Sequence, residues 1–323
     1  MPELPEVTTT VNGLQKVLPG MKISAVWTDL AKEKVSRKDF EGTIKSKKFF
    51  NAFRKKVTGA KVLNVERRAK NILINLDNGQ TILIHLKMTG HLIYGNYVFN
   101  KKENQWTPHK GERKELHDPF NRFIHAVFVL TPPRKGAGAK QLAFCDARKF
   151  VKVTLIPTKT AHETIHLKNL GPEPLEKDFT FEKFQNALLP LTKGEVGRGS
   201  RKIKTVLMDP SIIAGIGNIY SDEMLWLAGI HPMSVANKIP KKEMQKLYKS
   251  MKEVLKKGID FGGDSMSDYR DINGKRGNFQ HHHNVYQKNK EQCGKKGCPG
   301  VIMRLVIAGR SAHFCPVHQK LYK

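Results

Sequence analysis

Residues 71–90, NILINLDNGQTILIHLKMTG, place two runs of branched aliphatic residues on either side of Asn78-Gly79. That dipeptide between apolar runs is a strong short-range signal for a β-hairpin. The same signal extends outward over residues 22 to about 154. KVLNVERRAK (61–70), RFIHAVFVL (122–130) and KQLAFCDARKFVKVTLI (140–156) are further short β runs. Together they predict a β-sandwich or barrel, interrupted by a long basic loop, FNKKENQWTPHKGERKELHDP (99–119). Ahead of them, Pro5 suits the first turn of a helix whose apolar face is Val7, Val11, Leu14 and Leu18, stopped by Pro19-Gly20.

Past IPTKTAHETIH (156–166) the periodicity becomes helical, and a domain boundary is expected there. FTFEKFQNALLPL (179–191) and SDEMLWLA (221–228) predict short helices. KKEMQKLYKSMKEVLKKG (241–258) predicts a basic amphipathic helix with Met244, Leu247, Tyr248, Met251, Val254 and Leu255 along one side, a core stripe rather than a binding face. The glycine-interrupted segment 261–277 then reads as a mobile loop, and the last residues as a small separate module. The fold expected is an α+β multidomain chain: an N-terminal helix with a β-sandwich, a helical domain, and a C-terminal β-hairpin module.

With 57 Lys plus Arg against 29 Asp plus Glu, the 323 residues carry a net charge of +28 spread along the chain. Such a field attracts polyanions, nucleic acid first, with an anionic membrane surface or solubility alone as the alternatives. No stretch approaches the ~20 apolar residues of a membrane span, and the start lacks the order of a signal peptide, so an intracellular protein is expected. Four cysteines, at 145, 293, 298 and 315, are too few and too uneven for a disulfide scaffold.

Cys293-x4-Cys298 and Cys315-x2-His318 form two close ligand pairs joined by a loop. A tetrahedral Zn²⁺ needs that arrangement, and with all four positions filled the ion would be structural. His318 suits the fourth position better than His313. Between the pairs, VIMRLVIAGRSAHF (301–314) alternates and turns at Ala308-Gly309-Arg310, presenting Arg310 at a hairpin tip where a guanidinium can clamp phosphate. IIAGIGNIYSDEMLW (212–226) puts glycines and Asn218 at a helix start, which suits close approach of a phosphate backbone. At the other end, MPELPEV (1–7) sets Pro2 beside Glu3 and Glu6. Loss of Met1 would leave a secondary amine next to two acids; taken alone, those acids are ordinary first-turn charges complementing the helix dipole.

In this order, MPELPEV, RRAKNILI, IHLKMTG, DARKF, LGPEPL, IKTVLMD, GIGNIYSDE, GGDSMSDY, GNFQ, VYQK and GRSAHFCP span nearly the whole chain. The sequence resembles the bacterial formamidopyrimidine-DNA glycosylase and endonuclease VIII family of base-excision repair enzymes. Leu4, where the endonuclease VIII branch typically has glycine, points to the first branch. The resemblance implies a catalytic β-sandwich domain (1–158), a helical DNA-binding domain with a helix-two-turn-helix (170–262), a lesion-recognition loop and connector (263–284) and a zinc finger (285–323). It implies a bifunctional glycosylase and AP lyase that removes oxidised purines through a Schiff base on Pro2, followed by β,δ-elimination. Glu3 would shuttle protons, Glu6 support the site, Lys70 bind phosphate and assist β-elimination, and Arg310 serve δ-elimination.

By the same resemblance Met88, Arg148 and Phe150 fill the space left by an everted base. His85, His117, Arg198, Lys204, Asn218 and Tyr286 would, by the same resemblance, hold DNA phosphates. Cys293, Cys298, Cys315 and His318 hold one zinc ion. The expected partner is double-stranded DNA with oxidised bases or abasic sites, bound by a monomer in a prokaryotic cytoplasm or nucleoid. Two alternatives stay open: an oxidised-pyrimidine glycosylase of endonuclease VIII type, and a non-catalytic DNA-binding protein on the same scaffold. The family's usual four-cysteine finger is here Cys3His, and the insertions near 96–114 and 132–140 have no assigned role.

Overall fold

A computed structural model describes residues 1–134, 136, 138–189 and 201–323. These residues divide into two compact units, 1–168 with 261–278, and 169–260 with 279–323.

The first unit opens with helix α1 (Leu4–Val17), followed by β1 (Lys22–Thr28) and helix α2 (Lys47–Val57). Strands β2 (Val62–Arg68), β3 (Asn71–Leu76), β4 (Gln80–His85), β5 (His91–Gly95), β6 (Tyr97–Asn100), β7 (Gln105–Pro108), β8 (Ile124–Thr131), β9 (Lys140–Cys145) and β10 (Lys152–Pro157) complete it. Among the described residues two four-stranded antiparallel sheets form, in the orders β1-β8-β9-β5 and β10-β4-β3-β2. The Asn78-Gly79 signal is realised: β3 and β4 pair from Asn75–Thr81 to Asn71–His85 across a three-residue turn. Side chains from both sheets, Phe128 and Leu142 from one and Ile72, Ile84 and Val153 from the other, pack in one core with Val7, Val11 and Leu14 of α1. This is a β-sandwich.

Two elements depart from the sequence reading. Residues 47–57 fall inside the region read as β but form α2, because Phe50, Phe53 and Val57 recur at helical spacing and are buried in the sandwich core. The Ser46 hydroxyl caps that helix by accepting the Phe49 N–H. The basic loop also contains structure: β6 and β7 pair as a hairpin. Its Phe99 and Trp106 rings lie 5.1 Å apart and both meet Trp27, at 5.7 and 6.3 Å. The insertion thus covers Ile93, Val127 and Ala143 on the outer face of the first sheet.

The second unit contains α3 (Phe181–Leu188), α4 (Ile203–Leu207), α5 (Asn218–Ala228) and α6 (Lys241–Asp260), then β11 (Met303–Ile307) and β12 (Arg310–Phe314) paired as a hairpin. Met244, Leu247, Met251, Val254 and Leu255 of α6 are buried, as a core stripe should be. Among the described residues no helix is long and apolar enough to cross a membrane.

Candidate active site and metal centre

Helix α1 begins with its acids enclosed. Pro2 is buried, and Glu3 and Glu6 are 2% and 1% exposed, which rules out their being solvated first-turn charges. Burial of a carboxylate is costly unless its oxygens accept hydrogen bonds. One Glu6 oxygen accepts the Glu3 N–H at 2.6 Å, and the other accepts the Asp264 N–H at 2.8 Å. The Glu6 carbonyl accepts from the Tyr269 hydroxyl at 3.0 Å. Residues 261–277, expected to be a mobile loop, are therefore fastened to the first turn of α1. Gly263 permits the approach: at φ +86°, a Cβ there would meet Glu6 Cγ at 2.9 Å.

The ends of the strands carry the next group. Lys70 is half-buried at the β2–β3 turn, after Ala69 in the left-handed region at φ 54°. His85 closes β4; its Nδ1 accepts the Lys87 N–H at 2.9 Å. Burial, and then the positive charges of Lys87, Lys70 and Lys152, push its pKa from 6.5 to about 3, so the ring is neutral with its proton on Nε2. Met88 and Phe150 are 42% and 41% exposed, an unusual position for residues that would otherwise be core. The exposed Arg148 sets its guanidinium 4.7 Å over the Phe150 ring. His117 is exposed near the end of the basic loop.

In the second unit, Arg310 is exposed at the start of β12 beyond the Ala308-Gly309 turn. Asn218 is the first residue of α5, and its Oδ1 is enclosed with no partner among the described residues. Tyr286 is half-buried; its N–H donates to Glu223, while its ring stands edge-on to His283 and His313. Lys204 corrects the expectation of a phosphate contact. It is 1% exposed, and its ammonium donates to Asp222 at 2.5 Å and to the Ser311 carbonyl at 2.8 Å, which ties α4 and α5 to β12. A buried ammonium held by a carboxylate is not available to an external phosphate. Arg198 lies outside the described residues.

Asp222 and Glu223 are structural residues that the sequence reading passed over. Asp222 also accepts the His313 backbone N–H at 2.9 Å and lies 3.1 Å from the ring nitrogen Nδ1, so the His313 imidazole is engaged away from the Cys293, Cys298, Cys315 and His318 cluster. Glu223 accepts the N–H groups of Asn284, Val285 and Tyr286. The acidic pair in SDEMLW was the available signal, although an acidic pair on a helix is ordinarily solvent-facing.

The ligand atoms of Cys293, Cys298, Cys315 and His318 all lie within 4.8 Å of one another. Cys293 Sγ is 3.4 Å from His318 Nδ1, and Cys298 Sγ is 3.6 Å from Cys315 Sγ. A tetrahedral ion bonded at about 2.3 Å to sulfur and 2.0 Å to nitrogen separates such atoms by about 3.5 to 3.8 Å, so the four fit one metal ion. His318 Nε2 lies 3.0 Å from the Trp226 carbonyl, a partner that keeps the proton on Nε2 and frees Nδ1 for a metal.

Two family models match the chain. Residues 1–153 match the formamidopyrimidine-DNA glycosylase N-terminal domain, and residues 170–270 match the H2TH domain of the same enzymes. A formamidopyrimidine-DNA glycosylase from Pelotomaculum thermopropionicum is 35% identical over 321 residues, covering 99% of this chain and 100% of the relative. One from Heliobacterium modesticaldum is 36% identical over 320 residues, with 99% and 100% covered. Among solved structures, a complex of Lactococcus lactis Fpg with DNA containing an abasic site superposes with a TM-score of 0.77 at 29% identity, covering 98% of this chain and 99% of that one. A complex of the same enzyme with DNA containing an oxidised pyrimidine gives 0.76 at 28%, with 99% and 100% covered.

Proposed function

Because the chain belongs to the formamidopyrimidine-DNA glycosylase family, we propose that it excises oxidised purines from double-stranded DNA and then cleaves the strand, with Pro2 as nucleophile. The observation that carries this reading is the start of α1, where a proline at position 2 adjoins two enclosed carboxylates, one of them fastened to segment 261–277. A scaffold that only binds DNA needs no such arrangement.

With Met1 attached, the Pro2 nitrogen is an amide and has no nucleophilic lone pair. Its removal yields a secondary amine. A terminal amine titrates at about pH 8 in the unperturbed state, low enough for part of it to be neutral near pH 7. The amine attacks C1′ as the bond from C1′ to the damaged base breaks; the base leaves with the electron pair and takes up the proton that the Pro2 nitrogen gives up. Glu3 gives a proton to O4′ as the ring opens, which leaves an iminium between Pro2 and C1′. Loss of a C2′ proton expels the 3′ phosphate, a step for which Lys70 holds the phosphate. Further elimination, served by Arg310, expels the 5′ phosphate, and water releases the sugar fragment from Pro2. Met88, Phe150 and Arg148 project as a wedge and a donor able to enter the stack when the base is everted. His85, His117, Asn218 and Tyr286 would hold flanking phosphates. One Zn²⁺ on the Cys3His set would act structurally by keeping the hairpin of Arg310 rigid.

Borohydride reduction tests this reading by trapping the iminium. Duplexes carrying 8-oxoguanine opposite cytosine, an oxidised pyrimidine, or an abasic site should be compared. A covalent complex and a nick with phosphate at both ends on the purine duplex is the expected result, lost in Pro2→Gly while most DNA affinity remains. Undiminished trapping in Pro2→Gly would remove Pro2 from its role. Trapping on the pyrimidine duplex alone would give the substrate of the alternative branch.

A further inference from the structure

The three exposed residues Met88, Arg148 and Phe150 stand on two turns that each contain a lysine with positive φ. Lys87 and Lys149 have φ of 58° and 57°, the left-handed region that residues other than glycine seldom occupy. Such a conformation persists only where its surroundings dictate it. Here the surroundings are a buried carboxylate and a buried ammonium. Asp146, 1% exposed, accepts the Thr89 hydroxyl at 2.5 Å and the Arg148 N–H at 3.2 Å on one oxygen, and the Val151 N–H at 2.7 Å on the other. One side chain thereby joins the turn carrying Met88 to the turn carrying Arg148 and Phe150.

The Lys149 carbonyl accepts a hydrogen bond from Lys45 Nζ at 2.7 Å. Lys45 comes from a distant segment and is 6% exposed, and its ammonium also stands 3.9 Å over the Phe40 ring. Its own backbone is fixed: the Lys45 carbonyl accepts the Lys32 N–H at 2.8 Å, and the neighbouring Ile44 N–H donates to Val153 on β10 at 3.1 Å. An ammonium loses much hydration on burial; the ring face and the carbonyl replace it, and the negative charge of Asp146 acts in the same sense.

We infer that Lys45 is a positioning residue for the base-displacing wedge, holding the left-handed Lys149 turn so that Arg148 and Phe150 project in register with Met88. The inference rests on the wedge reading proposed above. Lys45 touches neither DNA nor the reacting atoms in this role; it acts through Lys149.

The test uses the full chain and two substrates. One is a duplex with 8-oxoguanine opposite cytosine, from which a base must be displaced. The other is a single strand with an abasic site, which has no stack to enter. Lys45→Met, close in shape but without donor or charge, should lower single-turnover excision on the duplex about tenfold and change cleavage of the single strand less than about twofold, as loss of one charge-assisted hydrogen bond at the wedge requires. Lys45→Arg should restore most of the duplex rate. Phe40→Leu, a milder change, should move in the same direction and covers the case in which Lys45→Met fails to fold. Equal losses on both substrates, or none, would overturn the inference. Met88→Ala separates the two layers. If it is duplex-selective while Lys45→Met is not, the brace alone fails; if it is silent on both substrates, the wedge reading fails and takes the brace with it.

Discussion

His85 shows how a single side chain can sit among lysines and add no charge. With the pKa at about 3, its Nε2–H is a neutral donor at the end of β4. His85→Ala should weaken DNA binding up to about tenfold while leaving the slope of log K against log salt unchanged, because no counterion release is tied to an uncharged contact. Lys70→Ala should instead reduce that slope by about one. Binding titrations across a salt series distinguish the two. The same ring has a consequence for stability. Its unfolded pKa is 6.5 and its folded value is about 3, so in that window the unfolded chain binds the extra proton. Stability is full above 6.5 and falls as pH drops toward 3. His91 and His166 are also lowered by burial and act in the same sense. Thermal unfolding between about pH 6.5 and 4 should show the decline, and His85→Gln should flatten part of it.

At the scale of elements, the candidate metal centre depends on a glycine outside the four possible ligands. A Cβ on Gly300 would lie 2.4 Å from Cys315 Sγ and 2.9 Å from Val317 Cβ, and neither can yield while Cys315 stays on a metal. Gly300→Ala should lower zinc affinity by about 10- to 100-fold, the range for residues that shape a ligand's surroundings, read by competition with a chelator. An unchanged affinity would show that the knuckle can relax. What the sequence disclosed depends on the range of the interactions involved. The clustering of Cys293, Cys298, Cys315 and His318 and the Asn78-Gly79 hairpin were legible because their spacing is local. Helix α2 carried a legible signal too, a Ser cap and apolar residues at 50, 53 and 57, but the adjacent Phe49 and the flanking β runs obscured the period. The β6–β7 hairpin lacks an Asn-Gly turn and is held by Trp27, far off in sequence. Lys45 and Lys149 are 104 residues apart, so no local pattern could reveal their bond, and Lys204 looked like any exposed lysine until Asp222 was found beneath it.

Over the whole molecule, the excess of positive charge acts before any particular residue does. A net charge of +28 should bind undamaged duplex as well, weakly and with steep salt dependence. If about six to ten phosphates are neutralised, affinity should fall by roughly 10³ to 10⁵ between about 50 and 200 mM salt, measurable by fluorescence anisotropy. A flat response would mean that the charge field contributes little to binding. The described residues divide into two units with separate cores, and the chain's three tryptophans divide with them. Trp27 and Trp106 share the aromatic cluster over the first sheet, with ring centroids 6.3 Å apart. Trp226 is buried in the other unit, its ring 5.2 Å from that of His318, one of the four residues that could hold a metal ion. The intrinsic emission of the protein is therefore partitioned by construction. A change that follows chelation belongs to one indole, a change that follows disturbance of the insertion belongs to the other two, and the native chain is its own optical reporter without a dye or label.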